Sequence, residues 1–426
     1  MKVLLVSANT ETINMPVLPL GLGCVAASAQ SAGYDVSMLN LLDQRDSLSA
    51  FKKTVDEFHP QVVGISIRNI DDQNMGSPRF LLDPVKDIIS TCRNTSDAII
   101  VLGGAGYSIF PQAALDYLDA DMGIQGEGES AFVELLNMLE AKREPSGIPG
   151  LYFPRRPIQC ETRRIKILDD FPLPLPKVHI WTPSTLKDEE IWLPVQTRRG
   201  CPMDCSYCST AAIEGRIIRK YQSGKIVDMI ARYIDAGFDH FFFVDNTFNL
   251  PSSYAKLLCD QLIAADLNIN WRCILYPWKV DEELVAKMAQ AGCSDVSFGF
   301  ESGSDKILRK MNKKYNCEDI RQISQRLKEF GINRMGFLLL GGPGETKETV
   351  LESLTFADSL GLEMVKVTAG VRIYPHTALA RTAIKEGLVE PDEDLLSPKF
   401  YIAKGLEGWL AETVNNWMEC RPNWVK

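Results

Sequence analysis

WLPVQTRRGCPMDCSYCST (192–210) runs from a strand-like stretch straight into three cysteines, Cys201, Cys205 and Cys208. A cubane 4Fe–4S cluster normally takes four thiolates, so three protein ligands leave one iron open to a further ligand. The spacing differs from the paired CxxC of structural zinc sites, and no His-x₃₋₅-His follows it. WLPVQTR (192–198) has strand length, which places the cysteines at a carboxyl strand end, where α/β barrels keep their active sites.

Further along the chain the strand pattern repeats. DHFFFVD (239–245), INWRCIL (269–275), DVSFGF (295–300), NRMGFLLL (333–340) and EMVKVTA (363–369) are apolar runs separated by helical patterns. Six strand–helix units are fewer than the eight of a closed barrel, so residues 191–390 predict a partial (β/α)6 barrel with a lateral gap. Beyond it the periodicity fades into a short tail, 391–426, whose Trp409, Trp417 and Trp424 are read as core packing.

Residues 1–150 alternate in the same way, through KVLLVS (2–7), YDVSML (34–39), QVVGISI (61–67), AIIVLGG (98–104) and ADMGIQG (120–126). Strands alternating with helices predict an α/β domain with a doubly wound parallel sheet, Rossmann-like, with its ligand beyond the carboxyl strand ends. Pro154, Pro157, Pro172, Pro174, Pro176 and Pro183 interrupt regular structure, so 151–190 is read as an extended linker.

The chain of 426 residues is 45% hydrophobic and 24% charged, the balance of a globular protein with material for two cores. No stretch approaches a membrane span and no signal peptide opens the chain, so a cytoplasmic location is expected. Eleven cysteines there point to reduced thiols and metal ligation. A net charge of −9 argues against nucleic acid as the main partner, although Arg309, Lys310, Lys313 and Lys314 form a local basic patch.

The CxxxCxxC loop, with Tyr207 before its last cysteine, resembles the signature of the radical SAM superfamily. FFFVDNTF, GFESGSDKILRKMNKKY, MGFLLLGGPGET and VRIYPHTALA follow in family order. The resemblance implies that S-adenosylmethionine binds the open iron. It also implies that Asp245 and Asn246 receive the methionine ammonium and that Glu301 contacts the methionine or ribose end. Gly341, Gly342 and Gly344 would let backbone approach adenine. Arg372, Tyr374 and His376, after the last strand, are candidates for substrate contact.

The first domain resembles the cobalamin-binding module fused to many radical SAM enzymes, through PVLPLGLGCVAASAQSAGYDVSMLN, VVGISI, VLGGAGYSIFP and GIQGEGESAFVELL. By that resemblance Gly103, Gly104 and Gly106 line one wall of a slot for the nucleotide tail, and Gly126, Glu127 and Gly128 the other. None of His59, His179, His240 and His376 stands in an Asp-x-His-x-x-Gly loop, so no histidine is expected below cobalt. Arg68, Asn69 or Asp71 is expected to face that side.

Together these resemblances imply a cobalamin-dependent radical SAM C-methyltransferase of class B type. One S-adenosylmethionine would methylate cobalamin, giving methylcobalamin, and a second would be cleaved to a 5′-deoxyadenosyl radical that activates an unactivated substrate carbon. A low-potential donor such as ferredoxin or flavodoxin would reduce the cluster. The short tail favours a bulky substrate, a peptide or protein segment or a lipid, and a residue of methyl-coenzyme M reductase is one candidate. A non-methylating rearrangement or ring formation is an alternative, as is a non-catalytic cobalamin sensor. A methylthiotransferase would need three more clustered cysteines, and only Cys24, Cys92 and Cys160 precede the barrel.

Overall fold

The computed structural model describes residues 1–11, 16–44, 46–156, 161–175 and 191–426. Pro157, Pro176, Pro183 and His179 lie outside the described residues. The chain forms two compact units. The first is Met1–Asp72, Arg79–Ile191 and Thr210–Gly215, and the second is Gln73–Pro78, Trp192–Ser209 and Arg216–Lys426. No helix among the described residues is long and apolar enough to cross a membrane.

The first unit holds β1 (Lys2–Ser7), β2 (Asp35–Asn40), β3 (Val62–Ser66), β4 (Ile99–Gly103) and β5 (Met122–Ile124), plus a short antiparallel β6 (Leu151–Tyr152). Their order is β2-β1-β3-β4-β5-β6, and the first five are parallel. Val3, Leu4, Val6, Val62 and Val63 are fully buried, as continuous apolar strands covered on both faces must be. Helix Leu20–Ser31 packs with Gly128–Glu140, and Ser47–Phe58 with Asp83–Thr95. Because β1 has β2 on one side and β3 on the other, the sheet reverses there. A cleft lined by Ala8, Asn9, Thr10, Ile67, Arg68 and Asn69 opens beyond these two strand ends.

The second unit is a sheet of parallel strands: β7 (Leu193–Val195), β8 (His240–Phe243), β9 (Asn270–Leu275), β10 (Cys293–Glu301), β11 (Asn333–Leu340), β12 (Met364–Ala369) and β13 (Trp424–Val425). Among the described residues β7 and β13 are its two edges, so the barrel is partial. The alternating burial of β11 puts Arg334, Gly336, Leu338 and Leu340 on one side. Side-chain caps start some of the helices between strands; Asn316 and Asp319 form a capping box for Cys317–Glu329, as Thr346 and Thr349 do for Lys347–Ser359.

Residues 391–426 correct the expectation of a fading tail. They contain helix Trp409–Met418 and β13, which extends the six-stranded sheet by pairing Trp424 with Val365. Trp424 is buried and its ring lies 6.5 Å from that of Trp417.

Candidate active site

The cysteine loop begins at a turn that needs glycine. Gly200 has φ +97°, and a Cβ there would fall 2.2 Å from the Ile217 carbonyl oxygen. Arg198–Arg199 pairs with Arg219–Lys220 and closes the base of the loop. Other parts of the barrel unit then fix its course. The Ser206 amide donates to the Met311 carbonyl at 3.1 Å, and the Leu379 amide donates to the Ser206 carbonyl at 2.8 Å. Asn312 Nδ2 donates to the Asp204 carbonyl at 2.8 Å. Cys201 and Cys205 are half-buried and Cys208 is exposed.

Among the described residues no group of His, Cys, Asp and Glu is close enough to hold a single metal ion. Burial pushes the Cys205 thiol up, and Lys313 opposes the shift, favouring the thiolate that a metal requires.

Asp245 does a different job from the one expected. It is fully buried, and its Oδ1 accepts from the Thr197 amide at 2.8 Å and the Arg198 amide at 3.1 Å. Its Oδ2 accepts from Thr197 Oγ1 at 2.6 Å and lies 3.2 Å from Arg198 Nε. With both oxygens engaged in the interior, Asp245 locks the end of β7 rather than receiving a ligand ammonium. Arg198 continues the lock to the Phe248 and Leu250 carbonyls at 2.7 and 2.9 Å. Asn246, next in the chain, is half-buried.

Glu301 sits at a register shift in β10 with φ +63°. Its Oε1 accepts from Lys313 Nζ at 3.2 Å, and Lys313 also donates to Tyr207 Oη at 2.9 Å. The ammonium lies 5.1, 5.8 and 5.7 Å from the ring centres of Tyr207, Tyr276 and Tyr315. Burial works against the Lys313 charge, but Glu301 and the surrounding tyrosines outweigh it and hold the amine well above its usual pKa. Burial raises Tyr207 and Tyr315 well above the ordinary phenol range and pushes Tyr276 up to about 12.

The glycine-rich end of β11 contains a residue that sequence reading passed over. Glu345, 3% exposed, turns back so that Oε2 accepts from the Gly341 and Gly342 amides. Its other oxygen is buried without a hydrogen-bond partner among the described residues, and burial pushes the carboxyl up to about 7. The signal for it in GGPGET is a glutamate directly after the glycine turn, placed to fold back onto the turn's amides. Gly344, at φ +82°, lies so close to Lys310 that a Cβ would fall 2.0 Å from its Nζ.

Arg372 is engaged by the chain itself. It is buried, and its guanidinium donates to the Ile373 carbonyl at 2.6 Å and to those of Leu395 and Leu396 at 3.0 and 3.3 Å. Tyr374 is half-buried, and His376 is exposed at φ +61°.

In the first unit the glycines bring backbones together. A Cβ on Gly104 would lie 2.5 Å from the Ile67 carbonyl oxygen, and one on Gly106 would lie 2.9 Å from that of Arg68. Gly103 closes β4, with the Ile124 carbonyl 3.8 Å from its would-be Cβ. The far wall of the expected slot is covered by the chain itself. A Cβ on Gly126 would lie 2.2 Å from Arg164 Nη1, and Glu127 Oε2 accepts from the Ile165 amide at 2.6 Å. Gly128 starts its helix against Val25. Arg68, exposed, donates to half-buried Asn69 at 3.3 Å, while Asp71 is buried.

Comparison with known proteins accounts for both units. Residues 195–357 match the Radical SAM superfamily, and residues 6–136 match the B12 binding domain. An uncharacterized methyltransferase of Pyrococcus horikoshii is 26% identical, over 91% of this chain and 84% of its own length. The cytidylyl-2-hydroxyethylphosphonate methyltransferase of Streptomyces wedmorensis is also 26% identical, over 88% of this chain and 80% of its own. In fold, the chain is similar to the radical S-adenosylmethionine methyltransferase TsrM of Kitasatospora setae, solved with tryptophan substrate and a SAM analog. The TM-score is 0.88 at 22% identity, covering 98% of this chain and 88% of that one. The enzyme's cofactors are a 4Fe–4S cluster, S-adenosylmethionine and cobalamin. The chain thus joins a B12-binding domain to a radical SAM domain, and the relatives it resembles over most of its length are named as methyltransferases.

Proposed function

We propose that the chain transfers a methyl group from S-adenosylmethionine, by way of cobalamin, to a carbon of a bulky substrate, with Cys201, Cys205 and Cys208 holding the cluster. The observation that carries this reading is the three-cysteine loop at the end of β7, held in shape by backbone bonds to Met311 and Leu379. The cofactors supply one-electron reduction, methyl transfer and radical generation, while the protein binds, orients and excludes water.

On this reading Glu301, Asn246 and the Gly341–Gly342 backbone border the S-adenosylmethionine site, and Gly344 narrows it beside Lys310. Glu345 holds the two glycine amides and so fixes the turn against which adenine would lie. Arg68 and Asn69, in the cleft beyond β1 and β3, face the lower side of cobalamin, with Gly103, Gly104 and Gly106 at its edge. Tyr374 and His376 remain candidates for substrate contact. A peptide segment or a lipid fits the reading, and the tryptophan bound by the structural relative adds a compact aromatic ring to the substrates worth testing.

The test is anaerobic reconstitution with cobalamin, S-adenosylmethionine and a low-potential reductant, reading both nucleoside products by mass spectrometry. S-adenosylhomocysteine with 5′-deoxyadenosine is the expected result, and both vanish in Cys205→Ala. Deoxyadenosine without S-adenosylhomocysteine would overturn methylation.

A further inference from the structure

Lys313 is 3% exposed in its side chain, an unusual place for an ammonium. Three tyrosine rings, Glu301 and the Cys205 thiol surround it. Its backbone neighbours Met311 and Asn312 are the residues bonded to the cysteine loop, so the amine is carried to the loop by the same segment that shapes it. A simple counter-ion for Glu301 would need only the carboxylate. The 2.9 Å bond to the Oη of Tyr207, a residue of the loop between Cys205 and Cys208, is the further observation, because it sets the amine beside the thiols.

We propose that Lys313 is a positioning residue whose fixed positive charge, delivered to Cys205, raises the reduction potential of the cluster. The inference rests on the reading that Cys205 is a cluster ligand. Reduction adds one electron to the cluster, drawn from a low-potential one-electron carrier that is itself oxidised by one. A cation held against a ligating sulfur in a poorly solvated site lowers the energy of that added electron. Charges and hydrogen bonds just outside the ligands are established levers on cluster potential. Glu301 acts in the opposite sense from its place 3.2 Å from the ammonium, while among the described residues Lys313 alone of the two bonds a residue of the cysteine loop, Tyr207. The tyrosines keep the amine in place without cancelling its charge.

The test is an EPR-monitored redox titration of the reconstituted holoenzyme, with iron and sulfide measured on every sample. Lys313→Met shifts the reduction equilibrium about tenfold toward the oxidised cluster, which is about 59 mV for one electron. Glu301→Gln shifts it the other way, and Lys313→Arg keeps the native midpoint. Opposite signs separate charge from packing, because a loosened site would move both variants alike. Unchanged midpoints, or shifts of one sign, overturn the proposal. Should Lys313→Met load no cluster, Lys313→Gln, which keeps a polar partner for Tyr207, takes its place, and a raised or unchanged midpoint overturns the proposal. A wild-type protein that binds no iron and sulfide would sink the cluster reading and this inference with it. A loaded wild type with unmoved variants would sink only the inference.

Discussion

Arg198 with Asp245 and Lys313 with Glu301 are both buried pairs of opposite charge in the barrel unit, yet their surroundings differ. The first pair is sealed, at 1% and 0% side-chain exposure, and both carboxylate oxygens bond the backbone or side chains of residues 197–198. The second is less enclosed on its acid side, with Glu301 at 13%, and its cation is ringed by aromatic faces rather than carbonyls. Hydrogen bonds to backbone make a pair part of the scaffold. Aromatic faces hold a charge in place while leaving its field to act on a neighbour. The difference teaches that burial and opposite charge do not define a role; the third partner does.

The strongest way to break this contrast is Asp245→Ala. It strands Arg198 in the interior, and the expected loss is roughly 3–5 kcal/mol of unfolding free energy in denaturant titration. A loss as small as that of an exposed pair, below about 1 kcal/mol, would remove Asp245 from the scaffold.

Glu345 sharpens the comparison as a buried acid whose named partners are backbone amides. Its carboxyl is raised from 4.5 to about 7, so between those values the folded chain keeps a proton that the unfolded chain has released. Its contribution is complete below pH 4.5 and is lost as pH rises to 7, by at most about 3 kcal/mol. Glu345→Gln flattens stability over that window, and an unaltered pH slope in the variant would contradict the assignment.

Glu301→Ala is expected to cost less than Asp245→Ala, roughly 1.5–2 kcal/mol, because water reaches the vacated side and the tyrosines still hold Lys313. Equal losses at the two sites would erase the distinction. Tyr207→Phe removes one hydrogen bond from Lys313, costs about 1 kcal/mol, and leaves the barrel's cooperative unfolding intact.

Much of the architecture could be read from local pattern. Each expected parallel strand of both sheets exists, because long apolar runs separated by helical spacing carry their own signal. The antiparallel β6 and the edge strand β13 escaped because two residues show no period; β13 exists through pairing with Val365 across the fold. The cysteines were legible because they are neighbours in sequence. The role of Asp245 was not, since its partners lie 47 and 48 residues away and a strand-end aspartate looks alike whether it faces inward or outward. The partners of Arg372 were hidden for the same reason: the carbonyls of Leu395 and Leu396 belong to a segment with no periodicity. At Gly126 the sequence could not reveal that Arg164, from the proline-rich stretch, would lie over it.

The bonds from Ser206 to Met311 and from Leu379 to Ser206 are made by polypeptide alone. The loop that presents the three thiols is therefore tied to the barrel at its middle by polypeptide on both sides of Ser206. A chain deprived of iron is then expected to keep this anchorage, and cooperative unfolding of Cys205→Ala in denaturant, matching that of the wild type, would show it.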